Sequence, residues 1–144
     1  MQLQSKHQRV ITIEETVSGV EGFDILFDFI SARIKPSAEV EAQAADYRSR
    51  NEPVGPVVSI GALNGDECCL QIMDLYGSLF GQLLRNVALS TLVEAGGAIY
   101  FSGSVMQKNE GAFTLMKHSS MRERFISKGA TFADFLATVP FYLV

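Results

Sequence analysis

The sequence lacks the long apolar stretch that a membrane-spanning helix requires, since no uncharged apolar run approaches about 18 residues. Residues 1–13 contain no hydrophobic core of the signal-peptide kind. Basic residues are not in excess either: 12 Lys and Arg stand against 16 Asp and Glu, for a net charge of −4. These shortages argue against a membrane or a nucleic acid as partner, and we expect a cytoplasmic protein.

Cysteine and histidine are also scarce. Cys68 and Cys69 are adjacent, which suits neither a disulfide between them nor the spacing of a CxxC metal site, so we expect buried free thiols. His7 and His118 have no nearby carboxylate or cysteine pattern of the kind that makes a triad or a metal site. We therefore expect both histidines to be solvated, without a catalytic or metal-binding role.

What the sequence does contain is one long helical pattern. The 144 residues, 47% of them apolar, suit a single domain with a core. Residues 66–94 contain no proline, and apolar residues recur there at spacings of three and four in more than one stripe, which predicts a helix buried on most of its circumference. Gly77 and Gly81 lie one turn apart, so another backbone could pack very close to them.

Two apolar strands follow this helix. Gly96 and Gly97 end the helix, residues 98–101 predict a buried strand that enters the turn 102–104, and residues 140–144 predict a second strand. Because helices separate them, the strands should be parallel, and a parallel sheet normally has more than two members and cover on both faces. We therefore expect an α/β fold with a small, incomplete parallel sheet, completed by a larger protein or a partner.

The remaining segments predict shorter helices. A capping box at residues 18–21 opens a helix through about residue 34, with Phe23, Leu26, Phe27 and Ile30 facing inward. A polar helix at 37–50 and a connector at 51–56 precede one short helical turn at 59–63. Ser120 opens a capping box for a helix that closes at 128–129, and Thr131 caps a helix over 132–138.

Taken alone, the polar residues support a site only weakly. The turn 102–104 could present backbone N–H groups to a ribose or phosphate, but such a turn is more often a plain connection. Residues 12–15 form a capping box with Thr12 as the cap, so Glu14 lies in the first turn of a predicted helix, where the helix dipole favours a carboxylate in any case. Arg122, Arg124 and Lys128 could attract phosphates, although a basic helix face is usually only solvated.

Several segments together resemble the bacterial-type glucokinases, ATP-dependent hexose kinases with the actin/hexokinase ribonuclease-H-like fold. Residues 13–19 (IEETVSG) are similar to the family's E-x-x-x-S-G segment before a helix. Residues 98–105 (AIYFSGSV) resemble its strand and glycine-rich adenosine turn. Residues 121–129 (MRERFISKG), followed by 139–143 (VPFYL), resemble its closing F-R-x-x-F-x-x-K-G … I-P-V-Y-L pattern.

The resemblance implies that Glu14 accepts hydrogen bonds from glucose hydroxyls and that Gly103 and Ser104 lie where the adenosine of ATP packs. Ser104 replaces the second glycine of the family's turn. The family's first phosphate-binding turn, its asparagine-aspartate catalytic pair and its histidine-containing sugar motif do not occur here. The resemblance therefore implies ATP with Mg²⁺, whose ligands would lie outside this chain, and no turnover by this chain alone.

The fold expected from the resemblance is the helix-rich C-terminal lobe of an actin-like ATPase. Residues 1–144 would form a single partial domain of a glucokinase, lacking the first lobe and the final helix. The alternative is a non-catalytic, kinase-derived module for oligomerisation or ligand sensing. In either case the unfinished sheet predicts self-association, so we expect a homo-oligomer.

Overall fold

The computed structural model describes residues 21–102, 111 and 120–144. Within these residues the helices and strands are, in chain order, α1 (Gly22–Ser31), α2 (Ala38–Ser49), α3 (Gly55–Leu63), α4 (Glu67–Thr91), β1 (Ile99–Phe101), α5 (Ser120–Ile126), α6 (Ala133–Ala137) and β2 (Phe141–Leu143). A helix-rich chain with a two-stranded parallel sheet fits the α/β class predicted from the sequence.

Helix α4 is the long helix that the sequence predicts, and the other elements pack around it. It begins at Glu67 behind the N-cap Asp66, whose carboxylate accepts a 2.9 Å hydrogen bond from the N–H of Cys69. It ends at Thr91, three residues before the predicted limit, and its 25 residues extend about 37 Å. Its buried stripe includes Ile72, Met73, Tyr76 and Gly81, and Cys68 and Cys69 are buried free thiols as predicted.

Helix α1 packs on α4 through an apolar face. Phe23, Leu26 and Phe27 are buried as the sequence predicts, whereas Ile30 is partly buried. The ring of Phe23 stacks on that of Tyr76 with centroids 4.4 Å apart, an arrangement that adds to the burial of both rings. The predicted capping box at residues 18–21 lies mostly outside the described residues.

Helix α3 is longer than predicted. The sequence predicts a connector as far as Pro56 and then one turn, but the helix already begins at Gly55. Pro56 lies in the first helical turn, where a backbone N–H has no intrahelical acceptor and the fixed φ of proline suits the helix. A proline that would end a helix elsewhere therefore starts this one.

The caps predicted for the two last helices are wrong. Ser120 lies within α5, and its buried hydroxyl makes no hydrogen bond in the part of the chain that the structure describes. Phe132, in the left-handed region at φ 67°, precedes α6 without any side-chain cap, so Thr131 does not cap that helix. The α6 helix covers only Ala133–Ala137.

The two strands pair in parallel, with Ile99, Tyr100 and Phe101 opposite Phe141, Tyr142 and Leu143. One face of the pair is turned toward the helices, and there Phe101 and Phe141 are buried. On the other face, Tyr100 and Tyr142 are 66% and 48% exposed, and their rings stack with centroids 5.3 Å apart. The predicted parallel strands are therefore confirmed, and in the described part of the chain their sheet has one uncovered face.

No helix among the described residues combines the length and the apolar character needed to cross a bilayer.

Candidate functional site

All three site residues predicted from the sequence, Glu14, Gly103 and Ser104, lie outside the described residues, as do His7 and His118. The structure describes the strand that leads into the predicted adenosine turn, as far as Ser102. The part of the candidate site that the structure describes is therefore the edge of the sheet where β1 ends.

The carboxyl ends of β1 and β2 meet at one edge, because the strands are parallel. At the amino end of the pair, the N–H of Ile99 donates to the carbonyl of Pro140 at 2.9 Å. At the carboxyl end, the N–H of Val144 donates to the carbonyl of Phe101 at 2.8 Å, so the pairing holds up to the residue before Ser102. Open α/β sheets bind ligands beyond the carboxyl ends of their strands, which makes this carboxyl edge the candidate site.

A continuous series of aromatic contacts supports the carboxyl edge from below. The ring of Phe101 lies 5.7 Å from that of Phe80 on α4 and 5.3 Å from that of Phe141 on β2, both nearly edge to face. Phe141 in turn lies 4.9 Å from Phe125 on α5. Edge-to-face contacts at these distances are favourable and fix the ring orientations. The end of β1 therefore packs directly on α4 and is linked to α5 through Phe141.

Helix α5 approaches α4 closely at Gly81. A Cβ built on Gly81 would overlap the carbonyl oxygen of Met121 and lie 3.1 Å from Cβ of Arg124. Only glycine leaves room for this backbone contact. The close approach predicted for Gly77 and Gly81 is therefore confirmed at Gly81. Met121 and Phe125 on the facing side of α5 are fully buried, so the crossing also completes the core.

Arg122 binds backbone carbonyls, a role that the sequence analysis did not assign to it. Its Nη1 donates to the carbonyl of Val139 at 2.6 Å and its Nη2 to that of Ala137 at 3.0 Å. Its guanidinium also lies over the ring of Phe141, with Cζ 4.6 Å from the centroid. Burial lowers the pKa of Arg122 from its ordinary value. The side chain is thus partly buried and bound to backbone carbonyls, whereas Arg124 and Lys128 are exposed.

One signal in the sequence pointed to this role. Arg122 and Phe125 are three residues apart, which places them on the same side of a helix, so an arginine on that side shares the buried face. The two carbonyls that it binds lie 15 and 17 residues further along the chain, and no local pattern identifies them.

The two thiols of α4 offer no nucleophile. Burial, together with the nearby charge of Asp66, raises the pKa of Cys68 to about 11 and that of Cys69 to about 12. Both are therefore protonated at neutral pH, and a protonated thiol is a poor nucleophile and metal ligand.

The comparison with protein families settles the membership. The model of the Glucokinase family matches residues 1–144. The chain belongs to the glucokinase family. No significant similarity connects it with a curated protein or a solved structure. Membership implies a kinase that phosphorylates a sugar, with ATP and glucose as substrates.

The family also implies Mg²⁺, and the described residues do not supply a site for it. In residues 21–102, 111 and 120–144, no three Asp, Glu, His or Cys side chains converge on a point where a metal ion could be held. Mg²⁺ in kinases is held by carboxylates together with the phosphates of the nucleotide.

Proposed function

We propose that the chain serves glucokinase-type transfer of the ATP γ-phosphate to the 6-hydroxyl of glucose, as the partial C-terminal lobe of a bacterial-type enzyme in the cytoplasm. Glu14 binds sugar hydroxyls, and Gly103 with Ser104 forms part of the adenosine site. The observation that supports this proposal is that β1 ends at Phe101 on the carboxyl edge of the sheet, where sheets of this kind bind ligands. Gly103 and Ser104 follow within three residues in the sequence.

The proposed roles follow from chemistry. A carboxylate accepts hydrogen bonds from two hydroxyls at once, in charge-assisted bonds that are stronger than neutral ones. Glycine at the end of a strand allows a ligand to approach the backbone closely. Phosphoryl transfer needs in addition a base that orients the attacking hydroxyl, and we assign none to this chain. The chain alone should therefore bind ligands without turnover.

Titration of the chain with glucose and with ATP tests the proposal. A ligand held at 100 times its dissociation constant should add about 2.7 kcal/mol to the free energy of unfolding, which calorimetry detects as a raised Tm. Failure of both ligands to bind would refute the proposal. Release of glucose 6-phosphate by the chain alone would contradict the absence of a base.

The variant Glu14→Gln tests the sugar site. It should weaken glucose binding and leave ATP binding unchanged, because the amide keeps the shape of the side chain and loses its charge. Glu15→Gln, one residue along, is the matched control and should bind both ligands as the unmodified chain does. Equal glucose affinity in the two variants would show that Glu14 does not bind glucose and is only a carboxylate favoured at the start of a helix.

The second candidate is a non-catalytic oligomerisation or ligand-sensing module. The exposed pair Tyr100 and Tyr142 favours its oligomerisation form, since stacked aromatic rings on an uncovered sheet face can be buried against a partner. A chain that self-associates but binds neither glucose nor ATP would support that form over the kinase.

A further inference from the structure

The position of β2 depends on the segment that enters it. Helix α6 ends at Ala137, and three residues, 138–140, separate it from Phe141, where β2 begins. The carbonyls of Ala137 and Val139 lie at the start and in the middle of this entry segment, and Arg122 donates one hydrogen bond to each. The last carbonyls of a helix have no intrahelical donor, so one N–H of the guanidinium satisfies the carbonyl of Ala137 at the end of α6. A second N–H satisfies the carbonyl of Val139, beyond the helix.

The fork geometry of arginine explains why one side chain can do this. Its planar guanidinium presents several N–H donors in fixed directions, so two bonds to two carbonyls define both the distance and the orientation of the entry segment. No carboxylate in the described part of the chain forms an ion pair with Arg122. Its charge is therefore directed at backbone oxygens and at the ring of Phe141, 4.6 Å away.

The contacts of Arg122 extend to the carboxyl edge in two steps. Pro140 directly follows Val139, and its carbonyl accepts the N–H of Ile99, which begins the pairing of β2 with β1. The pairing then runs to the bond between Val144 and Phe101, beside Ser102. A shift of the entry segment would therefore displace both strand ends together.

We propose that Arg122 is a positioning residue for the nucleotide. It fixes the position of β2 along β1 and thereby the position of the carboxyl edge on which ATP binds. The inference rests on the proposed function, which places the adenosine beyond β1. In this role Arg122 contacts neither ATP nor glucose. Glucose binding through Glu14, at the other end of the sequence, should not depend on it.

The test compares three full-length variants by calorimetric titration with ATP, titration with glucose, and thermal unfolding. Arg122→Met keeps an apolar stem over Phe141 and removes both hydrogen bonds, and Arg122→Lys keeps the charge without the fork. Arg124→Met is the matched control, because Arg124 is an exposed arginine on the same helix. All titrations are made well below the lowest Tm.

We expect Arg122→Met to weaken ATP binding by roughly tenfold, within the range by which residues remote from a ligand alter its affinity, and to leave glucose affinity within about twofold. Arg122→Lys should recover part of the ATP affinity. Arg124→Met should bind both ligands as the unmodified chain does. This split between the two ligands is what a merely structural role would not produce.

Three results would overturn the proposal. A folded Arg122→Met chain with unchanged ATP affinity would show that the carboxyl edge does not depend on the arginine. An equal loss for glucose and ATP, or failure of both Arg122 variants to fold, would make it a residue of general stability. Absence of ATP binding by the unmodified chain would refute the proposed function as well. This result is obtained with the unmodified chain alone, so it can be distinguished from an effect of the variants.

Discussion

The packing of the molecule leaves almost no room for a side chain at Gly81. In an open helix position, replacing glycine by alanine would stabilise the chain by about 1 kcal/mol. Here the added methyl group would overlap the carbonyl oxygen of Met121, a backbone atom that cannot move without shifting α5. We expect Gly81→Ala to lower the free energy of unfolding by about 1–3 kcal/mol, the usual cost of overpacking, as measured by urea unfolding.

Asn86→Ala is the control for this substitution, since Asn86 is exposed on the same helix. It should change the free energy of unfolding by no more than about 0.5 kcal/mol, as surface substitutions do. A Gly81→Ala chain as stable as this control, or more stable, would show that the close contact with α5 does not form in solution.

Individual residues also show how far the site can be predicted from the sequence. The adjacent thiols could be predicted as buried because their spacing suits no ligand pattern. Arg122 could not be assigned, because its role is defined by carbonyls 15 and 17 residues away and those become neighbours only after α6 has folded back. Glu14, Gly103 and Ser104 stay predictions, since they lie outside the described residues.

At the scale of helices and strands, Asp66 joins two helix beginnings. One carboxylate oxygen caps α4 through the N–H of Cys69, and the other accepts the N–H of Ser37 at 2.9 Å. Ser37 in turn caps α2, because its hydroxyl accepts the N–H of Val40. Burial alone would raise the pKa of Asp66, but these hydrogen bonds outweigh it and lower the pKa below the ordinary value of 3.8.

Asp66→Ala should therefore destabilise the chain by about 1–2 kcal/mol at neutral pH, the usual cost of losing an N-cap. A lowered folded-state pKa stabilises the fold fully above 3.8, and this contribution is lost as the pH falls below that value. The difference between the variant and the unmodified chain should thus shrink when urea unfolding is repeated in acid below pH 3.8.

Asp74→Ala provides the comparison, because Asp74 is exposed about two turns further along α4. It should leave stability nearly unchanged at both pH values. If the Asp66→Ala difference were the same at neutral and acid pH, the carboxylate would not be the group responsible for the loss.

The helices show which patterns a sequence reveals. Helix α4 was predictable because its apolar spacing continues over some seven turns behind an aspartate cap. The start of α3 was missed because Gly55 and Pro56 commonly mark turns, and only packing shows that they open a helix. Burial of Ser120 and the left-handed Phe132 likewise depend on tertiary contacts, which override the local preference for capping.

At the scale of the whole molecule, the sheet has exposed rings on one face in the described part of the chain. Parallel sheets are normally covered on both faces, and here Tyr100 and Tyr142 face outward. Family membership was predictable because the matching segments occur in one order along the chain, and the family match extends over residues 1–144.

We expect the chain to self-associate through this face or the strand edges. Sedimentation velocity at micromolar concentration should show species larger than a monomer, and Tyr100→Lys should reduce them, because a lysine on a strand discourages edge pairing. Phe132→Lys removes an exposed ring outside the sheet, 49% accessible against 66% for Tyr100, and should not change the sedimentation profile. A monodisperse monomer for the unmodified chain would refute this prediction.

The order of the strands has a consequence for biosynthesis. The ribosome adds β2 about 40 residues after β1, which at 5–20 residues per second is a delay of roughly 2–8 s. Throughout that interval the nascent chain displays the earlier strand with no mate, while α4 is already complete. The tyrosine stack can form only when the later strand emerges, so a chaperone would have this interval in which to act on the earlier strand.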